Sequence, residues 1–283
     1  MKPKTTMLLL APASLLMLIV FVLPFIFLAL MSFWSQPPGS LNLDPTPTFK
    51  NYSRIFGDFY FIKGLVTTIW LSVVTTLICL LAALPLAQWI VRRAGRARGL
   101  FLGLLIVPMV SGALLPTLGL VNLMGPLGVV NGTLRSLGLI SRSIDFLGNY
   151  VGILVGLVQG FLPLMVLPLV GALDRLPIEY EQAAMSLGAS RSRVWRRIIL
   201  PLILPGILAG SLLTFCGALT AFVTPQILGQ GKIATFATMA YQQASLVLDW
   251  PFASALAVVM LLLLAAIGIV VALLRRTGAV IGA

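Results

Sequence analysis

Few residues in this chain can do covalent chemistry, and their spacing excludes most of it. There is no histidine, so neither a Ser-His-Asp relay nor a His-completed zinc site can form. Gly229-Gln230-Gly231-Lys232 resembles a phosphate loop, but that pattern needs a glycine five residues before the Gly-Lys pair and Ser or Thr after it. Gln226 and Ile233 stand there instead, so the segment reads as a turn. Cys79 and Cys216 both fall in apolar stretches and lack the clustered partners of a disulfide or metal site. The sequons Asn51-Tyr52-Ser53 and Asn131-Gly132-Thr133 are short enough to arise by chance. No paired carboxylates suggest acid–base work. The chain reads as non-catalytic, with no metal and no cofactor of its own.

One polar stretch stands out, EQAAMSLGASRSRVWRRIILP, residues 181–201. The elements around it follow from composition. Of 283 residues 59% are hydrophobic and 9% charged, too few charges to coat a soluble domain of this size, and the apolar runs are long. A net charge of +12 would suit nucleic acid if the basic residues shared one polar face. They lie instead in short clusters between apolar runs, which is how membrane topology is encoded. An all-α polytopic membrane protein is expected, with spans at 7–31, 65–91, 99–121, 148–173, 202–224 and 251–274. The first run is too long for a cleaved signal and lacks an A-x-A site.

Six spans put both termini on one side. The segments on that side hold Lys2, Lys4, Arg92, Arg93, Arg96, Arg98, Arg175, Arg191, Arg193, Arg196, Arg197, Arg275 and Arg276, thirteen of the 19 basic residues. The excess places them, and both termini, in the cytoplasm. The spans carry no Asp, Glu, Lys, Arg or His, which argues against an ion-coupled carrier. Gln88 and Gln159 are the large amides inside the runs, candidates for a path or for helix–helix hydrogen bonds. Prolines 24, 85, 108, 116, 163, 168 and 205 are expected to kink the spans. The opposite loops, 32–64, 122–147 and 225–250, are expected to hold short helices near 132–137 and 234–248. Phe59, Tyr60, Phe61 and Trp70 suit an interfacial belt.

Between the fourth and fifth spans, Pro177 can open a helix whose first turn holds Glu179 and Glu181, favoured by the helix dipole. Gly188 supplies a left-handed end and Ser190 a cap for a second helix. Val194, Ile198 and Ile199 give that helix an apolar stripe, and Pro201 kinks the approach to span five. Small alanines, Ala183 and Ala184, let another surface come close. On residues alone, a docking element and a topology-fixing loop touching anionic lipid both stand.

The segment resembles the signature of the integral-membrane subunits of binding-protein-dependent ABC importers: E-A-A, three residues, Gly, nine residues, I-x-L-P. Gln182-Ala183-Ala184, Gly188, Ile198, Leu200 and Pro201 match at that spacing, with Gln182 where the family carries Glu and Glu181 just before it. A charged contact made by that Glu would either pass to Glu181 or weaken. Leu187-Gly188-Ala189-Ser190, Ile199-Leu200-Pro201-Leu202 with Pro205-Gly206-Ile207, and Asp249-Trp250-Pro251-Phe252 are similar to the spermidine/putrescine-type group. The resemblance implies a type I importer permease fold: one permease domain over 1–283, core about 65–274, coupling segment 174–201. It implies a coupling helix near 179–188 seated in an ATPase subunit, with two ATPase subunits carrying ATP and Mg. A second permease, a paralogue, would complete the path, and an extracytoplasmic binding protein would deliver a small organic solute, a polyamine foremost. The location implied is the bacterial inner membrane. Asp145, Asp249 and Trp250 are expected near the outer mouth, where the carboxylates attract cations. The competing readings are a stand-alone carrier or channel, and a membrane enzyme or scaffold.

Overall fold

A computed structural model of the protein describes residues 3–37 and 42–281, with backbone alone at 3–11, 13–14 and 271–281. Lys2, one of the basic residues behind the expected orientation, lies outside the described residues. Those described are almost wholly helical, in line with the all-α expectation. A single antiparallel bridge joins Ser35 and Asp44. In chain order the helices are α1 (Pro3–Met31), α2 (Lys50–Gly57), α3 (Phe59–Arg92), α4 (Arg98–Val110), α5 (Leu114–Met124), α6 (Val129–Ser136) and α7 (Tyr150–Asp174). They continue as α8 (Glu179–Ser186), α9 (Arg191–Val194), the single turn α10 (Leu200–Leu202), α11 (Leu204–Leu219), α12 (Val223–Leu228), α13 (Phe236–Gln242) and α14 (Trp250–Ile281). Wide π turns follow α9 at Trp195–Ile199 and α13 at Gln243–Val247.

Among the described residues, four segments are long and apolar enough to cross a bilayer: Phe59–Arg92, Leu114–Ser136, Tyr150–Asp174 and Trp250–Val270. A fifth results if Arg191–Leu202 and Leu204–Leu219, bent by 67° at Ile203, form one span. The apolar part of α1 whose side chains are described, Leu15–Met31, is shorter. The span expected at 99–121 is broken at 111–113, between Pro108 and Pro116, where Gly112 takes φ +72°, and the span expected at 202–224 stops at Thr220. Most prolines do not break their helices, as α3 runs through Pro85 and α7 through Pro163 and Pro168. The short helices expected near 132–137 and 234–248 correspond to α6 and to α13 with its π turn.

The chain divides into two compact units, 1–64 with 236–263 and 65–235 with 264–283. In the smaller, the aromatic rings of Phe33, Phe49 and Tyr52 cluster within 5.3–6.4 Å between centroids. Phe61 packs edge-on against Phe252 at 4.9 Å, and the buried Asn51 amide donates to the Ser32 and Trp34 carbonyls, both at 2.9 Å. The last pair ties α2 to the end of α1.

The larger unit is assembled around α7, which buries Ile153, Leu157, Met165, Val166, Leu169, Val170 and Leu173. On α3 the matching face is Cys79, Ala83, Ala87 and Ile90, each 0% exposed and in the same core cluster. Those positions recur at helical spacing, and three of the four are small, which lets two helices approach closely. Helix α11 goes further. Gly206, Gly210, Thr214 and Ala218 form a buried stripe four residues apart, and a Cβ on Gly206 would meet Ala172 Cβ at 2.6 Å. At Gly210 it would meet Met165 Sδ at 2.9 Å and the Met165 carbonyl oxygen at 3.1 Å. Backbone thus rests on side chain and backbone, the contact that small-xxx-small spacing permits in lipid.

Gly210→Leu is expected to cost about 1–3 kcal/mol through overpacking, read as a lower thermal-aggregation midpoint in detergent. Gly103→Ala, where an added Cβ meets nothing within 4 Å, is expected to match wild type. Equal midpoints for the two variants would contradict the close α7–α11 contact.

Candidate functional site

The polar stretch after α7 begins where that helix ends, at Asp174. Leu176 turns back into the core at 7% exposure. Helix α8 then starts with Glu179 and Glu181 in its first turn, where carboxylates favour the helix dipole. Its start differs from expectation: Ile178, one residue beyond Pro177, occupies the cap position, and its side chain makes no capping bond. The end of α8 conforms closely. Gly188 takes φ +83°, its N–H donates to the Met185 carbonyl at 3.0 Å, and Ala189 N–H reaches back to the Ala184 carbonyl at 3.1 Å. This pairing is the Schellman closure, which spends a glycine on the left-handed residue and satisfies the last carbonyls of the helix.

Ser190 sits at the cap of α9, as its position suggested, and its carbonyl accepts from Val194 N–H at 3.0 Å. Its hydroxyl makes no cap hydrogen bond, so the cap is made by backbone. Val194 and Ile199 are buried at 4% and 1% exposure, and Ile198 packs beside them. The expected apolar stripe therefore seats this segment on the core. The second helix does not run continuously into the next span. Helical backbone widened by the π turn continues from Arg191 to Leu202 and breaks at Ile203, with Pro201 and Pro205 on either side of the 67° bend.

The faces of α8 are divided. Ala184 is 9% exposed and belongs to the core cluster with Leu173, Val194 and Ile199, so its smallness serves packing within the chain. Ala183 and Gln182 are exposed, as are Tyr180, Met185 and Leu187, the last at 89%. Glu181 turns inward. Its Oε1 accepts from Arg92 Nε at 3.0 Å and lies 2.8 Å from Arg92 Nη2, with side chains 15% and 16% exposed. The same Nη2 donates to the Leu176 carbonyl at 2.9 Å. A second ion pair, Arg98 with Asp174, joins the start of α4 to the end of α7 and is more exposed. Neither arginine stands out in the sequence except as topology-setting charge, because pairs made across 89 and 76 residues leave no local pattern.

The remaining candidates separate. Gln88 lines a cavity of about 190 Å³ together with Arg92, Arg93, Glu181, Met185 and Trp195, so it belongs to the surroundings of α8. Gln159 lines a different cavity, of about 230 Å³, with Gly112, Thr117, Gly156 and Thr224. There Thr117 and Thr224 hydroxyls meet at 3.3 Å, beside the break between α4 and α5. Asp145, in the larger unit, is exposed, and its backbone carbonyl accepts from the Asn149 amide. In the smaller unit Asp249 is already engaged. Its Oδ2 accepts from Arg54 Nη1 at 3.2 Å, its Oδ1 accepts from Phe252 N–H at 3.2 Å, and Arg54 lies 4.0 Å over the Phe252 ring. Trp250 donates from Nε1 to the Ala244 carbonyl at 3.2 Å and from its backbone N–H to Gln36 Oε1 at 3.3 Å. Among the described residues no group of three or more His, Cys, Asp or Glu could hold a metal.

Residues 80–278 match the family model described as binding-protein-dependent transport system inner membrane component. The chain is 31% identical over 249 residues to the spermidine/putrescine transport system permease protein PotB of Haemophilus influenzae, covering 88% of this chain and 86% of that one. With the Escherichia coli protein of the same name it shares 33% over 208 residues, 74% and 75% of the two chains. Among solved structures, a chain of a bacterial ABC transporter involved in import of the acidic polysaccharide alginate superposes with TM-score 0.80 at 19% identity, over 97% of this chain and 96% of that one. A chain of an inward-facing MetNI methionine ABC transporter gives 0.58 at 16%, over 77% and 95%.

Gly188→Val puts a β-branched residue at φ +83°, a conformation costing about 1–3 kcal/mol. The expected outcome is faster limited proteolysis between α8 and α9, with Gly188→Asn, which tolerates that conformation better, cleaved near the wild-type rate. Equal cleavage of all three proteins would show that the turn does not depend on the glycine.

Proposed function

The chain belongs to the binding-protein-dependent inner-membrane transport components, and on that premise we propose that it forms one half of the permease of an ATP-driven polyamine importer. The carrying observation is the division of α8. Glu181 and Ala184 hold the helix to its own chain, while Tyr180, Gln182, Ala183 and Leu187 are presented outward. An exposed row of small and apolar residues on a short helix is what a groove on another protein can accept. That protein is the ATPase subunit, present twice, with ATP and Mg bound there and not on this chain.

In this reading the whole chain is one permease domain with six spans, the first supplied by α1 and the third by α4 with α5. Both termini and the 174–201 segment face the cytoplasm in this reading, which the excess of basic residues on that side supports. A paralogous permease completes the path, and an extracytoplasmic binding protein delivers the solute. Similarity to the spermidine/putrescine permeases supports a polyamine. Gln159, Thr117 and Thr224 line the candidate path, while Gln88 is assigned to the coupling end. Asp249 is held by Arg54, so of the two candidate carboxylates Asp145 is the one able to attract a cation.

Docking is tested by co-purification. Ala183→Arg is expected to reduce recovery of the ATPase about tenfold or more, since an unpaired charge in a contact costs on the order of 2–5 kcal/mol; wild-type recovery would overturn the docking assignment. For the solute, cells lacking their other polyamine systems and carrying the complete transporter should accumulate radiolabelled spermidine, with unlabelled putrescine competing. Absence of uptake in assembled complexes would remove the polyamine reading.

A further inference from the structure

We propose that Arg92 is a positioning residue for energy coupling: its ion pair with Glu181 makes α3 a second arm through which α8 moves the membrane helices. The proposal rests on the ATPase-docking reading of α8. One guanidinium joins three elements, the end of α3 that carries it, the first turn of α8 through Glu181, and the α7–α8 connection through the Leu176 carbonyl. An eight-residue helix has little stability of its own, so its placement depends on such contacts. Arg92 holds the first turn of α8 through Glu181, and Ala184 packed on the core holds the second.

The covalent route from α8 is poorly suited to carry a push. It passes a glycine turn at φ +83°, a helix widened by a π turn and a 67° bend before reaching α11. Each irregularity can absorb displacement. Through Arg92 the path has no such break, because α3 is one helix from Phe59 to Arg92. Its face Cys79, Ala83, Ala87 and Ile90 is locked into the core with α7. A shift of α8 therefore reaches α3 directly.

Glu181 is thereby unavailable for any charged contact with a docked partner that the glutamate of the family signature would make. Neighbouring positions on a helix point about 100° apart, so Gln182 keeps the outward position and Glu181 the inward one. These adjacent residues have different partners, and the glutamine is not compensated by the glutamate beside it.

The test uses the complete transporter in liposomes, with binding protein and radiolabelled spermidine, and compares Arg92→Gln, Arg92→Glu, Glu181→Arg and the Arg92→Glu/Glu181→Arg exchange. ATPase association, ATP hydrolysis and uptake are measured on each. Arg92→Gln is expected to keep the ATPase bound and hydrolysing while uptake falls about tenfold, within the 5–150-fold span of typical coupling energies. Hydrolysis per spermidine delivered should rise accordingly. The two charge reversals should lose uptake singly, and the exchange should regain at least about a third of it. Wild-type uptake in Arg92→Gln, or an exchange no better than its single reversals, overturns the proposal. So does loss of the ATPase from Arg92→Gln, which would make the residue part of docking or folding. Should Ala183→Arg keep its ATPase, the docking reading itself is what fails.

Discussion

In a bilayer nothing outside the protein satisfies a freed carbonyl or supplies a hydrophobic force between helices, so the larger unit is held by how closely its helices approach. That approach is close where α11 lies on α7. At Gly206 and Gly210 even a methyl group would collide with Ala172 or Met165. The same demand for small residues recurs on α3, where Cys79, Ala83 and Ala87 face α7, and at Gly156, whose Cβ would strike Leu228 and Thr224 at 2.5 Å. With α7 as a post packed this tightly, whatever moves in the unit must move around it.

The 174–201 segment inherits its placement from that post. Leu173 and Leu176 anchor its start, Val194 and Ile199 its second helix, and Ala184 the helix between them, all in one cluster with α3 and α7. The polar character that makes the segment conspicuous belongs to its outer face. Its inner face is as apolar as the spans, apart from Glu181, which its arginine compensates. A buried pair of this kind is weak evidence for stability, because desolvation offsets most of the attraction. Its worth lies in fixing one position of α8 against others, since breaking it would leave a charge stranded.

The features legible in the sequence were those written in local pattern. Long uncharged runs announced the membrane, and the glycine and serine at 188 and 190 announced the turn and the cap position. What eluded the sequence was non-local. Which of Ala183 and Ala184 faces inward depends on where α8 docks, and Arg92 could not be told from other topology-setting arginines until its partner came into view. Prolines are a partial guide to the helix breaks: the bend at Ile203 falls between Pro201 and Pro205 and the turn at Gly112 between Pro108 and Pro116, yet α7 carries Pro163 and Pro168 unbroken. A proline frees a carbonyl that neighbours can still satisfy, whereas a positive φ at Gly112 turns the chain itself.

The uncharged interior bears on what such a path can carry. A polycation passing a buried carboxylate would be held there, since a charge pair in a low-dielectric setting is strong and slow to part. If the proposed path runs past them, neutral oxygens such as those of Gln159, Thr117 and Thr224 would solvate an ammonium group without trapping it. Under the proposed function this assigns discrimination to the binding protein and leaves the membrane path permissive. The charges that the chain does keep at its core edge then serve geometry: Arg92 and Glu181 meet each other, not the solute, and determine where α8 stands when force arrives.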